Sequence, residues 1–133
     1  PEKWKAGDWV KRINSVKILG KNCKGKIAGL EGPRSICCLD GIEKADVVLV
    51  PLEDGDRCEA LIALGKEVLV IDLNPLSRTA RKATVTIVDE VSRASKLLLE
   101  KISDVESEGL PWDNDIVLMD ALKIISNSVN RIK

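Results

Sequence analysis

The middle of the chain alternates short apolar runs with segments of helical periodicity. Val47–Val50 is a continuous, mostly β-branched run, which is the pattern of a strand buried on both faces. Apolar residues then recur at helical spacing from Ala60 to Leu64, and Gly65 ends the pattern, so a helix should end there. A second run, Val68–Ile71, predicts another buried strand. Because the crossover is short and helical, the two strands should be parallel and the connection right-handed.

The pattern continues with a third strand and two longer helices. Residues 72–78 are rich in helix-breaking residues and predict a loop, and residues 84–88 predict a strand. Asp89 is placed to cap a helix that should end near Glu108. A last amphipathic helix, over 113–131, should be capped by Asp113 or Asn114.

Strands that alternate with helices predict the α/β class, with a Rossmann-like parallel sheet and helices on both faces. The 133 residues suit a single domain, here a nucleotide-binding one with its core over residues 45–108. The segment 1–34 is less regular: Val10, Ile13 and Val16 suggest a short helix, and residues 21–32 a loop. A sheet of three strands has an exposed edge, which hints at a missing strand or partner.

Charge and composition exclude several classes of function. Segment 1–34 carries nine Lys/Arg against three Asp/Glu, which would suit phosphate binding or simply a solvated surface. Three tryptophans are the only aromatic residues, too few to stack the bases of single-stranded nucleic acid. The sequence shows no signal peptide and no long apolar run, so we expect a cytoplasmic protein that does not enter a membrane.

The cysteines and the missing histidines restrict the chemistry further. Four cysteines show no CxxC spacing and there is no His, so we expect four free thiols and no metal site. Without His, Ser-His and Cys-His nucleophiles are excluded. The chain also contains neither GxGxxG nor a P-loop motif. Chemistry must therefore depend on carboxylates, Lys/Arg and backbone groups.

The carboxyl ends of the three predicted strands should meet at one rim, where ligands of open α/β sheets bind. Asp72 is placed to accept ribose hydroxyls, and Asn74 can pair with a purine edge or a ribose. Arg78 and Thr79 offer donors for phosphate oxygens. The alternative is that Asp72 pairs with Arg78 and that Asn74 only caps the turn.

An acidic turn, Glu53–Arg57, follows the first strand. Its carboxylates Asp54 and Asp56, with Arg57, could orient an amine substrate or bind Mg²⁺ through water. The alternative is a capped helix start with an internal ion pair, in which Asp54 or Asp56 is the N-cap.

Two long blocks, Ala45–Arg57 and Ile71–Ala80 with its continuation to Thr84–Asp89, are similar to the archaeal 4-phosphopantoate–β-alanine ligase family, also called phosphopantothenate synthetase. The resemblance implies an ATP- and Mg²⁺-dependent ligase of coenzyme A biosynthesis. It would join 4-phosphopantoate to β-alanine through an acyl-adenylate and release AMP and pyrophosphate. Family members are homodimers and carry roughly another domain before this region, so the chain resembles their C-terminal part.

The resemblance also implies which residues contact ATP. The family's ATP-contacting segments fall on Asp72, Leu73 and Asn74, on Arg78 and Thr79, and on Glu90 and Val91. The last pair replaces the usual Asn-Ile, so that contact should use the backbone. We take Arg78, with Asp54, Asp56 and Arg57, as the candidate catalytic residues. The competing hypothesis is a nucleotide-binding or regulatory module without ligase activity.

Overall fold

A computed structural model of the chain describes Leu19, residues 23–103 and residues 111–129. The helix predicted around Val10, Ile13 and Val16 lies outside these residues, as does Glu108. None of the helices in the described ranges combines the length and the hydrophobicity that a membrane span requires.

A small antiparallel ribbon precedes the main sheet. Strands β1 (Gly25–Lys26) and β2 (Ile36–Cys37) pair so that Gly25 lies opposite Cys37. A short 3₁₀ turn, Gly32–Ser35, connects them, and a kinked helical segment, Leu39–Glu43, follows β2. The prediction of a loop over 21–32 is therefore wrong at Gly25 and Lys26, which pair as a strand.

The main sheet has three parallel strands in the order β3–β4–β5: Val47–Val50, Glu67–Ile71 and Val85–Ile87. Val48 lies opposite Val68, and Val70 opposite Thr86. This open parallel sheet with helices packed against it confirms the Rossmann-like α/β class.

Among the described residues, four α-helices accompany the sheet, and three of them were predicted. Their bounds are α1, Gly55–Ala63; α2, Arg78–Lys82; α3, Val91–Lys101; and α4, Asn114–Val129. Helix α2 was not predicted. The Oγ of Ser77 accepts from the N–H of Ala80 at 3.0 Å and caps this helix. The loop therefore ends at Ser77, one residue before its predicted end.

The helix caps agree with the predictions in two cases out of three. Asp54 accepts from the N–H of Arg57 at 3.2 Å and caps α1. Asp113 accepts from the N–H of Asp115 at 2.9 Å at the start of α4. Asp89 was the wrong cap for α3, because Glu90 accepts from the N–H groups of that helix's first turn. Helix α3 also ends at Lys101, earlier than predicted.

The core lies between α1 and β4, with Leu61, Val68 and Val70 fully buried. Strand β3 differs from the prediction of a strand buried on both faces, since Val47 is 56% and Leu49 49% exposed. Strand β3 is at the edge of the sheet, and its outer face is uncovered by the residues that the structure describes.

Two of the four cysteines are not free. Cys23 and Cys38 form a disulfide, with Cα atoms 4.5 Å apart, so the prediction of four free thiols is wrong for this pair. The reason is the β1–β2 pairing, which brings together the residues just before β1 and just after β2. Cys37 and Cys58 are free and buried, and burial raises the pKa of both thiols.

Candidate functional site

The segments that follow β3 and β4 are joined by a hydrogen bond to the side chain of Thr79. The backbone N–H of Asp54 donates to the Oγ1 of Thr79 at 3.1 Å, and Thr79 is fully buried. Asp54 caps α1 and Thr79 lies in the first turn of α2. The segments that follow these two neighbouring strands therefore meet, as predicted for two of the three strand ends.

Five charged side chains, which we call the Arg–Asp cluster, lie on this rim. They are Arg34, Asp54, Asp56, Arg57 and Arg78. Arg34 pairs with Asp54 and, through Nη1, with the Oδ2 of Asp56 at 3.1 Å. The Nη2 of Arg78 donates to the Oδ1 of Asp56. The cluster itself contains three guanidinium groups and two carboxylates, so its own formal charge is +1.

Arg57 is the most enclosed guanidinium of the cluster. Its Nη2 donates to the backbone carbonyl of Arg34 at 2.6 Å. Its Nε is 3.8 Å from the Oδ2 of Asp54, an ion-pair distance that is too long for a hydrogen bond. The same Nε is buried without a hydrogen-bond partner among the described residues, so this donor remains unused.

The ionisation of the cluster follows from these contacts. The hydrogen bond from Arg78, and then the charges of Arg78 and Arg34, hold the pKa of Asp56 below its ordinary value. The hydrogen bond and charge of Asp54 raise the pKa of Arg34. The carboxylate of Asp56 is therefore ionised at neutral pH, and the pairs form salt bridges rather than neutral hydrogen bonds.

The turn after β4 is ordered by its own side chains. Asp72 accepts from the N–H of Asn74 at 2.9 Å and from the Oγ of Ser77 at 2.5 Å. Asn74 in turn accepts from the N–H of Leu76 at 3.0 Å, so it caps the turn. The alternative pairing of Asp72 with Arg78 is wrong, because Arg78 pairs with Asp56. Leu73 is 65% exposed.

The loop after β5 organises the start of α3. The Nε of Arg93 donates to the Oδ1 of Asp89 at 2.6 Å, which lowers the pKa of Asp89. Glu90 accepts from the N–H groups of Ser92 and Arg93, at 3.0 and 3.1 Å. These bonds lower the pKa of Glu90, and its carboxylate is used as the cap of α3. Val91 is 37% exposed.

A cleft of about 520 Å³ opens beside the cluster. Its charged lining residues are Glu31, Arg34, Asp56 and Glu59. The other lining residues are small or apolar: Ala28, Gly29, Leu30, Ala60 and Ala63. Sequence reasoning missed Arg34, since its only signal was its position at the end of the basic segment. Within the described part of the chain, no group of three or more His, Cys, Asp or Glu could hold a metal ion.

The open parallel sheet, with charged side chains gathered beyond the carboxyl ends of β3 and β4, defines a Rossmann-like α/β protein with a charged rim. Comparison with known proteins makes the assignment more specific. The chain belongs to the phosphopantothenate/pantothenate synthetase family, which it matches over residues 4–133.

Curated relatives of the chain come from several archaea. A protein of Thermococcus kodakarensis named 4-phosphopantoate–beta-alanine ligase is 46% identical over 88% of this chain and 48% of its own length. A protein of the same name from Methanosarcina mazei is 52% identical over 64% of this chain and 33% of its own length. Another, from Methanospirillum hungatei, is 65% identical over 49% of this chain and 27% of its own length. The chain thus spans about half the length of the Thermococcus relative.

Proposed function

We propose that this chain acts in an ATP-dependent ligase that condenses 4-phosphopantoate with β-alanine and releases AMP and pyrophosphate. The observation that carries the proposal is the 46% identity, over 88% of the chain, to a relative named for this pair of substrates. In the proposed reaction the carboxylate of phosphopantoate attacks the α-phosphorus of ATP and pyrophosphate leaves. The amine of β-alanine then displaces AMP from the acyl-adenylate.

Arg78 is the residue we propose to bind phosphate oxygens and to offset the charge that develops on the leaving pyrophosphate. Its side chain is 49% exposed, and a guanidinium has five N–H donors. One Nη2 donor is used on Asp56, so other donors are available for a ligand. Arg57, which pairs with Asp54 and donates to the carbonyl of Arg34, adds a further positive charge to the cluster.

The adenosine part of ATP is assigned to the turn after β4. Each carboxylate oxygen of Asp72 accepts one hydrogen bond within the protein and retains capacity for a ribose hydroxyl. Leu73 and the exposed side of Asn74 lie in the same turn. Glu90 uses its carboxylate to cap α3, so we assign the contact of Glu90 and Val91 to backbone groups. Thr79 is fully buried and its hydroxyl accepts from the N–H of Asp54, so its proposed role is to support the rim.

Mg²⁺ would enter the site with the phosphates of ATP, where it shields their charge. Asp54 and Asp56 are engaged by arginines, so their proposed role is to orient those arginines and to attract the ammonium group of β-alanine. The resemblance also implies a homodimer, and the exposed apolar residues Ile116, Met119 and Ile125 of α4 are compatible with such an interface. We place the reaction in the cytoplasm, where ATP is available.

The experiment is AMP formation by the full-length gene product with Mg-ATP and each substrate omitted in turn. The proposal requires that 4-phosphopantothenate forms only when both phosphopantoate and β-alanine are present. A protein that binds ATP, yet forms no AMP with both substrates, would instead be the non-catalytic nucleotide-binding module.

A further inference from the structure

We propose that Arg34 is a positioning residue for the ligase reaction, acting on Arg78 through Asp56. The inference rests on the proposed function and adds to it a residue from a distant part of the chain. Arg34 lies in the 3₁₀ turn between β1 and β2, whereas Asp56 and Arg78 belong to α1 and α2.

The contacts form a chain that ends on Arg78. The two oxygens of Asp56 are shared, since Oδ2 accepts from the Nη1 of Arg34 at 3.1 Å and Oδ1 accepts from the Nη2 of Arg78. Arg34 also pairs with Asp54. Because each oxygen of Asp56 bonds a different guanidinium, Arg34 and Arg78 together set the plane of its carboxylate. The orientation of the Asp56 carboxylate, and with it the donors of Arg78, therefore depends on Arg34.

The turn that carries Arg34 is itself held in place. The Oγ of Ser35 donates to the carbonyl of Gly32 at 2.7 Å, and the carbonyl of Arg34 accepts from Arg57 at 2.6 Å. Ser35 is buried. These bonds order the backbone on both sides of Arg34, although its side chain is 52% exposed. A side chain on an ordered backbone can position another charged group with little loss of conformational entropy.

A double-mutant cycle in the full-length gene product tests this role. The variants are Arg34→Ala, Arg78→Ala and the double variant, with Arg34→Lys in case Arg34→Ala fails to fold. Exposed Arg81, in the same helix as Arg78, supplies the control variant Arg81→Ala. We expect Arg34→Ala to lower kcat by about three- to ten-fold, with the KM for ATP changed by less than about two-fold. The double variant should be no slower than Arg78→Ala within about two-fold.

A spectroscopic measurement tests the same role without turnover. The NMR signal of the Nε–Hε group of Arg78, assigned by its loss in Arg78→Lys, should shift or broaden in Arg34→Ala and Arg34→Lys and stay in place in Arg81→Ala. An unchanged signal, or effects on kcat that multiply in the double variant, would overturn the positioning role. If the wild-type protein forms no AMP, the proposed function fails, and the NMR comparison alone then decides whether Arg34 positions Arg78.

Discussion

The side chain of Arg78 packs directly over Gly55, the first residue of α1. A Cβ atom added to Gly55 would overlap the Nε of Arg78 and lie 3.2 Å from its Cβ. Gly55 is buried and does not have a positive φ, so its backbone does not require glycine. The absence of a side chain at position 55 instead leaves room for the guanidinium that we assign to phosphate binding.

Gly55→Ala should therefore lower ligase activity by about five-fold or more while the protein remains folded, because a displaced guanidinium loses its alignment with the reacting atoms. Gly65→Ala is the matched control, since Gly65 has φ +75° and an open surrounding. That variant should lose about 1 kcal/mol of stability through left-handed strain and keep its kcat. Activity and thermal unfolding measured on both variants check this; equal kcat for Gly55→Ala and wild type would contradict it.

Asp72→Ala should raise the KM for ATP by about five-fold or more and change kcat less, because a ribose contact is similar in the ground and transition states. Ser77→Ala removes the same 2.5 Å hydrogen bond and the cap of α2, but leaves the carboxylate in place. It should lower the melting temperature, with the KM for ATP of the folded enzyme near wild type. A similar rise in KM in both variants would mean that Asp72 only orders the turn.

The acid dependence of stability should report the pairing of Asp56. Its pKa in the folded protein is below the ordinary value of 3.8 because of Arg78 and Arg34. The unfolded chain therefore takes up the proton first as the pH falls. The stabilisation by Asp56 is complete above about pH 5 and is lost as the pH falls through 4 towards the lower folded pKa. The difference in urea unfolding between wild type and Asp56→Asn should be largest at pH 6 and should shrink as the pH falls below 4; a constant difference would exclude this pairing.

Alkylation of free thiols tests directly whether Cys23 and Cys38 form a disulfide. Protein unfolded without reductant should be modified at two cysteines, Cys37 and Cys58, and at all four after reduction. Reduction should also lower stability by about 3 kcal/mol, the loop-closure value for the 15-residue separation of Cys23 and Cys38. Mass spectrometry reads the number of modified thiols. Four modified cysteines without reductant would show that the bond is absent.

The elements predicted correctly are those whose pattern is local and long enough to repeat. Strand β4 and helix α1 contribute fully buried side chains, and their apolar periodicity is visible in the sequence. Strands β1 and β2 have two residues each, too few to show a period. Helix α2 could not be recognised in the sequence, because Asn74 and Pro75, just before its cap, indicate only a turn.

The sequence predicts which segments form the candidate site, but not which charged side chains pair with one another. Parallel strands direct their carboxyl ends to one rim, so the positions of Asp56 and Arg78 followed from strand order. The partner of Arg78 did not follow, because Asp72 is nearer in sequence and only the packing of α1 against α2 places Asp56 beside it. Arg34 approaches from the β1–β2 ribbon, whose pairing the sequence pattern does not reveal.

The proposed role of Arg78 is to serve the ligase reaction at the rim of the sheet. Its most direct test is the rate of AMP formation, with both substrates saturating, by wild type, Arg78→Lys and Arg78→Ala of the full-length gene product. Lysine keeps the charge and loses the planar fork, so Arg78→Lys should be slower by about ten-fold or more and Arg78→Ala slower still. Both variants should melt within a few degrees of wild type. Unchanged rates per folded enzyme, with lower melting temperatures alone, would contradict the claim.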